Sequence, residues 1–147
     1  HWQPTVRGAI FGLTRNTSIA EIVKATLDSL SFQTLDLIES MQKDAKIKIK
    51  EIRVDGGMIN NNNFIQSLSN VTQANIIKPE NIETTSLGVA YLAGLQAGII
   101  KNTQQIEKLW KINKIFRPKI GKNTIKEQIR KWGKAVKLLI NLDSLKN

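Results

Sequence analysis

Apolar residues recur along this chain at two different spacings, and the changes between them divide it into elements. Val23, Leu27, Leu30, Leu37 and Met41 fall near one stripe at helical spacing, predicting a helix from Ile19 to about Lys43 with that stripe as its core face. Ser18-Ile19-Ala20-Glu21 reads as its capping box. Ahead of it, His1 to Arg7 reads as a loop and Ala9 to Leu13 as a short strand. Behind it, Ile47, Ile49, Ile52 and Val54 mark a strand whose early part is shielded by Lys48 and Lys50. A second helix is expected from Asn61 to about Val71, burying Phe64, Ile65 and Leu68, and Asn75 to Lys78 forms a short strand closed by Pro79.

A third helix is expected to start after Thr84 or Thr85 and to end at Gly98 as its C′ residue. Gly88, Ala90, Ala93, Gly94 and Ala97 give it an unusually small face. A helix-interior glycine costs about 1 kcal/mol relative to alanine, so two of them predict close packing against a sheet or another helix. Thr103 to Trp110 reads as a short helix and Lys111 to Ile120 as an extended segment. Thr124-Ile125-Lys126-Glu127 is a second capping box, opening a final helix over about 124–142 with Ile129, Trp132, Val136 and Leu139 inward. Strands separated by helices of these lengths imply α/β layering with parallel pairing.

The chemistry concentrates at Ile52-Arg53-Val54-Asp55-Gly56-Gly57-Met58-Ile59-Asn60-Asn61. A β-branched run ends in Asp-Gly-Gly and a helix start follows at once. Adjacent glycines let the backbone take positive φ and approach a ligand that a Cβ would block. The helix behind them offers free N–H groups to a phosphate or nucleotide edge. An ordinary tight strand-to-helix turn accounts for the same residues, with Asp55 holding the turn and Asn61 capping the helix.

Composition narrows the classes. A chain of 147 residues suits one domain. It contains no 18-residue apolar run and nothing that reads as a signal peptide, so no membrane span is expected. Cysteine is absent, which excludes disulfides and thiolate metal sites and fits a cytoplasmic protein. His1 is the only histidine. The net charge of +10 raises nucleic acid as a partner, but the lysines are scattered and no alternation of aromatic and basic residues forms a stacking platform. Nucleic acid is therefore not the expected partner.

Specific motifs add a resemblance. Gly8-Ala9-Ile10-Phe11-Gly12-Leu13, then Glu21-Ile22 and Ala25-Thr26-Leu27-Asp28, resemble the C-terminal signature of the FGGY carbohydrate kinase family. Asp55-Gly56-Gly57 with Asn61-Asn62, and then Glu83-Thr84-Thr85-Ser86-Leu87-Gly88-Val89-Ala90-Tyr91-Leu92-Ala93-Gly94, complete the pattern in order. The resemblance runs from Trp2 to about Val136. It points to the glycerol branch, because sugar-kinase relatives tend to carry Gly-Gly-Gly-Ala where this chain has Asp-Gly-Gly-Met.

The resemblance implies an α/β, actin-like ATPase (ribonuclease H-like) fold, with residues 1–147 as the nucleotide-binding half of a C-terminal FGGY domain lacking its first strands. It implies ATP-dependent phosphorylation of glycerol, with ATP and Mg2+ as cofactors and the magnesium held mainly by an N-terminal portion. The base and the glycerol contacts of the family lie upstream, so no catalytic residue is assigned here; Asp28, Asp36, Asp44 and Asp55 are candidates on chemistry alone. Asp28 and Asp36 read as surface or cap-region charges. Gly57 matches the family glycine whose backbone lies against the nucleotide, Asn61 the asparagine on the adenine side, and Gly56 adjoins them. Arg7, Thr14 and Arg15 are read as structural. The expected partners are ATP or ADP, glycerol in an intact enzyme, the N-terminal portion of the same protein, and a second copy in a homo-oligomer. With no initial methionine, the chain reads as a piece of a longer protein. A kinase of another polyol or sugar, or a non-catalytic binding module, are the alternatives.

Overall fold

The computed structural model describes residues 3–144, so His1 and Trp2 of the expected N-terminal loop lie outside the described residues. The longest helix, α1, spans Ile19–Ala45. Ser18 starts it as expected. Its Oγ accepts from Ala20 N at 3.2 Å, and the Glu21 carboxylate accepts from Ser18 N at 2.8 Å. These contacts satisfy N–H groups that a helix start leaves open.

The buried face of α1 differs from the expected stripe. Ser31, Leu35 and Ile38 are buried, whereas Val23, Leu30, Leu37 and Met41 are exposed. At about 100° per residue, the expected stripe lies roughly a quarter turn round the helix from the buried one. The two serines explain the difference. Ser31 Oγ reaches Ser67 Oγ at 3.4 Å, and their small side chains let α1 approach α2 (Asn62–Thr72) along a line with few large apolar residues. Asp28 and Asp36 also depart from the surface reading. Asp28 accepts from Ser67 Oγ at 2.8 Å, and Asp36 from Trp132 Nε1 at 2.9 Å.

The sheet has the order β1-β2-β3. β1 (Glu51–Arg53) pairs in parallel with β2 (Asn75–Pro79), aligning Ile52 with Ile76. β1 is shorter than expected because β2 reaches only as far as Asn75, and Ile47 is left exposed. The segment read as extended contains β3 (Ile112–Phe116), which pairs with β2 in antiparallel sense and bulges between Lys78 and Pro79. The pairing is therefore mixed rather than wholly parallel. Ala9 to Leu13, expected as a strand, joins no ladder among the described residues, and Ile10, Phe11 and Leu13 are exposed.

Two apolar clusters hold these elements together. Ile59, Ile65, Leu68, Ile76 and Phe116 pack between α2 and the sheet, joined by Ile52 and Val54. Leu35, Val71 and Ile125 pack where α1 and α2 meet the last helix, α5 (Lys122–Ser144). That helix begins two residues ahead of the Thr124 capping box, with Thr124 N and Ile125 N both donating to Gly121 O. Trp132 seals the junction by stacking on Phe32, with ring centroids 5.6 Å apart.

Helix α3 (Thr84–Gln96) starts one residue ahead of the expected range, with Glu83 at the N-cap, and Gly98 follows it at φ 72° as expected. Its expected close packing against another element is not seen. No residue of α3 is buried, and a Cβ on Gly88 meets nothing within 4 Å. Gly94 instead makes room for the side chain of Ile100 on the chain leaving the helix, 3.0 Å from where its Cβ would stand. The short helix α4 (Thr103–Leu109) ends one residue before Trp110. Among the described residues no helix is long and apolar enough to cross a membrane.

Candidate functional site

Because β1 and β2 are parallel, their C-terminal ends emerge at the same edge of the sheet, where open α/β sheets bind ligands. The segments leaving them are stitched together. Val54 N donates to Ile77 O at 3.2 Å and Gly56 N to Ile82 O at 3.1 Å. The Thr84 hydroxyl donates to the Asp55 carboxylate. Asp55 is thus a positioning residue that ties the turn after β1 to the first turn of α3.

The turn itself contains both glycines. Gly56 adopts φ 81° and ψ 177°, a region essentially restricted to glycine. Gly57 opens a 3-10 turn, Gly57–Asn60, pinned by Ile59, which is only 2% exposed. Gly57 is exposed, lacks a positive φ, and a Cβ placed on it meets nothing within 4 Å. Neither the backbone nor the packing requires glycine there. Its open face looks outward from the sheet edge.

Asn61 follows as the N-cap of α2. Its Oδ1 accepts from Asn63 N at 3.0 Å and from Phe64 N at 3.2 Å. Capping therefore occupies its acceptor, while the exposed amide nitrogen remains available as a donor. The structure brings Gly56, Gly57 and Asn61 into one turn. Thr84 belongs to the same edge and received no role from the sequence, since 29 residues separate it from Asp55 and no spacing rule links them.

Arg53, at the end of β1, places its guanidinium 4.2 Å from the Trp110 ring centroid, a cation–π contact that ties β1 to the segment entering β3. A cleft of about 740 Å³ between α1, α2 and the start of α5 is lined by Val23, Leu27, Asn63, Gln66 and Ile125; Gly57 and Asn61 stand outside it. Among the described residues no group of three or more His, Cys, Asp or Glu side chains gathers to hold a metal ion.

Comparisons with known proteins give this geometry a context. Residues 1–97 match the family described as the FGGY family of carbohydrate kinases, C-terminal domain. A glycerol kinase of Malacoplasma penetrans is 44% identical over 141 residues, covering 96% of this chain and 28% of the relative. A glycerol kinase of Bdellovibrio bacteriovorus is 41% identical over 136 residues, with 92% and 28% covered. The chain therefore spans 28% of the length of these relatives. Among solved structures, a Plasmodium falciparum glycerol kinase with ADP superimposes with a TM-score of 0.84 at 32% identity, over 94% of this chain and 28% of that one. A ligand-bound xylulose kinase of Lactobacillus acidophilus, at TM-score 0.71 and 19% identity over 98% of this chain and 28% of that one, shares the fold. The architecture is that of FGGY sugar kinases, an actin-like ATPase fold with a small mixed sheet here.

Proposed function

The chain belongs to the FGGY family of carbohydrate kinases, and we propose that it forms the adenine-nucleotide wall of an ATP-dependent glycerol kinase. The relatives named glycerol kinase and the ADP-bound neighbour support the reading. The observation that carries it is the open glycine at Gly57. Glycine stands at the ligand-binding edge of the sheet, where neither a positive φ nor a neighbouring atom explains it.

In this reading the Gly57 backbone lies against the ribose or α-phosphate. The free amide of Asn61 donates to a purine ring nitrogen while its Oδ1 continues to cap α2. Gly56 supplies the sharp turn, and Asp55, through Thr84, holds that turn against α3. When bound, Mg2+ neutralises charge on the transferring phosphoryl group; its ligands, the base and the glycerol contacts come from the remainder of a longer protein. The exposed faces of this chain support such a counterpart. One edge of β1 is unpaired among the described residues, no residue of α3 is buried, and Val23, Leu30, Leu37 and Met41 are bare.

The test is glycerol-dependent ADP release, measured on the isolated chain and on a longer kinase polypeptide that carries it. We expect turnover only from the longer polypeptide. There, Gly57→Val should raise the KM for ATP by about tenfold or more, as expected for lost binding contacts. Turnover from the isolated chain, or an unchanged KM for ATP in the variant, overturns the reading.

A further inference from the structure

On the outer flank of α2 a groove of about 390 Å³ lies between that helix and β3, lined by Asn62, Asn63, Gln66, Lys114, Ile115, Phe116, Arg117 and Lys119. Three of its eight lining residues are cations and none is a carboxylate. Among the described residues the ion pairs are Lys24–Asp28 and Lys131–Glu127, both elsewhere. Among the described residues, Lys114, Arg117 and Lys119 therefore have no acidic partner in an ion pair, and the groove carries uncompensated positive charge.

The groove is built on a fixed frame. Gln66 Nε2 donates to Arg117 O at 2.9 Å and to Asn70 Oδ1 at 3.2 Å, and Asn70 Oδ1 accepts from Lys119 N at 2.8 Å. Asn70 is 9% exposed and Phe116 5%, so the backbone carrying the cations is anchored from below. Lys114 Nζ sits 4.8 Å from the Phe116 ring centroid, which holds its charge over the floor. Asn62 and Asn63, from the first turn of α2, bring side-chain amides and the positive end of the helix dipole to one wall.

We propose that this groove binds a small phosphate-bearing anion, with Lys114, Arg117 and Lys119 contacting its oxygens and the side-chain amides of Asn62 and Asn63 completing the shell. Such an anion relieves the clustered positive charge and forms charge-assisted hydrogen bonds. The volume of about 390 Å³ lies at the small end of the range of small-molecule pockets and has room for a diphosphate. The groove adjoins the Gly57–Asn61 turn at the start of α2, but neither Gly57 nor Asn61 lines it, and the proposal does not depend on the nucleotide reading.

The probe is inorganic pyrophosphate, titrated into the full 147-residue chain and followed by amide chemical shifts and calorimetry. Shifts should cluster at residues 62–66 and 114–119. Replacing Lys114, Arg117 and Lys119 together by Gln should weaken binding about tenfold or more, since charge-assisted contacts are lost. The same charge removed from α5 by Lys126→Gln, Lys134→Gln and Lys137→Gln should leave affinity nearly unchanged. Each groove substitution made singly should give an intermediate loss, which carries the test if the triple variant does not fold. Gly57→Val should leave the pyrophosphate shifts in place, separating this site from the nucleotide turn. Equal loss in the groove and α5 variants, or shifts that avoid the groove, overturns the proposal.

Discussion

The backbone N–H of Gly56 donates to the carbonyl of Ile82 at 3.1 Å, binding the turn after one strand to the segment that enters α3. Beside it, Thr84 donates to Asp55. Together these contacts present Gly57 at the sheet edge as a fixed surface rather than a loose loop. The two glycines have different reasons to be glycine. Gly56→Ala should destabilise the chain by about 1–3 kcal/mol, the usual cost of forcing a side chain into such a backbone region. Gly57→Ala should change stability by less than about 0.5 kcal/mol, as for an exposed substitution. Urea unfolding of both variants checks the contrast.

Local signals in the chain proved readable where they act over a few residues. The Ser18–Glu21 box starts α1, Asn61 caps α2 and Gly98 follows α3. Relationships across the fold were not readable. Periodicity gave one apolar stripe on α1, and nothing local says that Ser31 and Ser67 bring the helices together on a less apolar face. Ala9 to Leu13 has strand composition, but a strand also needs a neighbour to pair with. Asp28 and Asp36 read as surface or cap-region charges and Asp55 as holding its own turn, yet each has a hydrogen-bonding partner at least 29 residues away. Of the candidate site, the residue types and their turn were legible. The cap at Asn61 was legible too, but the two backbone N–H groups that occupy its Oδ1 and leave the amide nitrogen over became visible only with the structure.

The contact between Trp132 and Asp36 fixes α5 to α1. Trp132→Phe keeps an aromatic ring near Phe32 but removes the 2.9 Å hydrogen bond from Nε1. A stability loss of about 1–3 kcal/mol is expected for a part-buried bond to a charged acceptor, and an Asp36→Asn change should be less harmful because its carbonyl still accepts. Thermal unfolding of the two variants tests the order.

Acid should loosen the start of α1. The Glu21 carboxyl is held below its ordinary 4.5, first by the Ser18 hydroxyl and then by backbone N–H groups. A depressed carboxylate contributes stability above its unfolded pKa and loses it as pH falls through the folded value. Glu21→Gln should therefore flatten the pH dependence of amide exchange at residues 20–22 below about pH 4.5. An unchanged profile in that variant places the acid sensitivity elsewhere.

The bare faces carry a prediction about association. An unpaired strand edge templates contact with other chains, and the exposed Leu92, Val89 and Leu37 add apolar surface. Light scattering should show the apparent mass rising with concentration. A longer kinase polypeptide carrying this chain should keep the same residues protected from exchange. A clean monomer at high concentration would argue that these faces need no cover.

The most direct measurement of the nucleotide assignment is chemical-shift mapping of ADP titrations at low and high salt. If the chain supplies only part of the nucleotide's contacts, as proposed, affinity should be in the millimolar range, on the order of −4 kcal/mol. Attraction to the basic surface is screened within about 8 Å at physiological ionic strength, so high salt isolates specific contact. The account predicts salt-resistant shifts at Asp55 to Asn62, abolished by Gly57→Val and weakened by Asn61→Asp, which keeps the capping oxygen and removes the free donor. Salt-resistant shifts confined to the lysines of α5, with Asp55 to Asn62 unmoved, would contradict it.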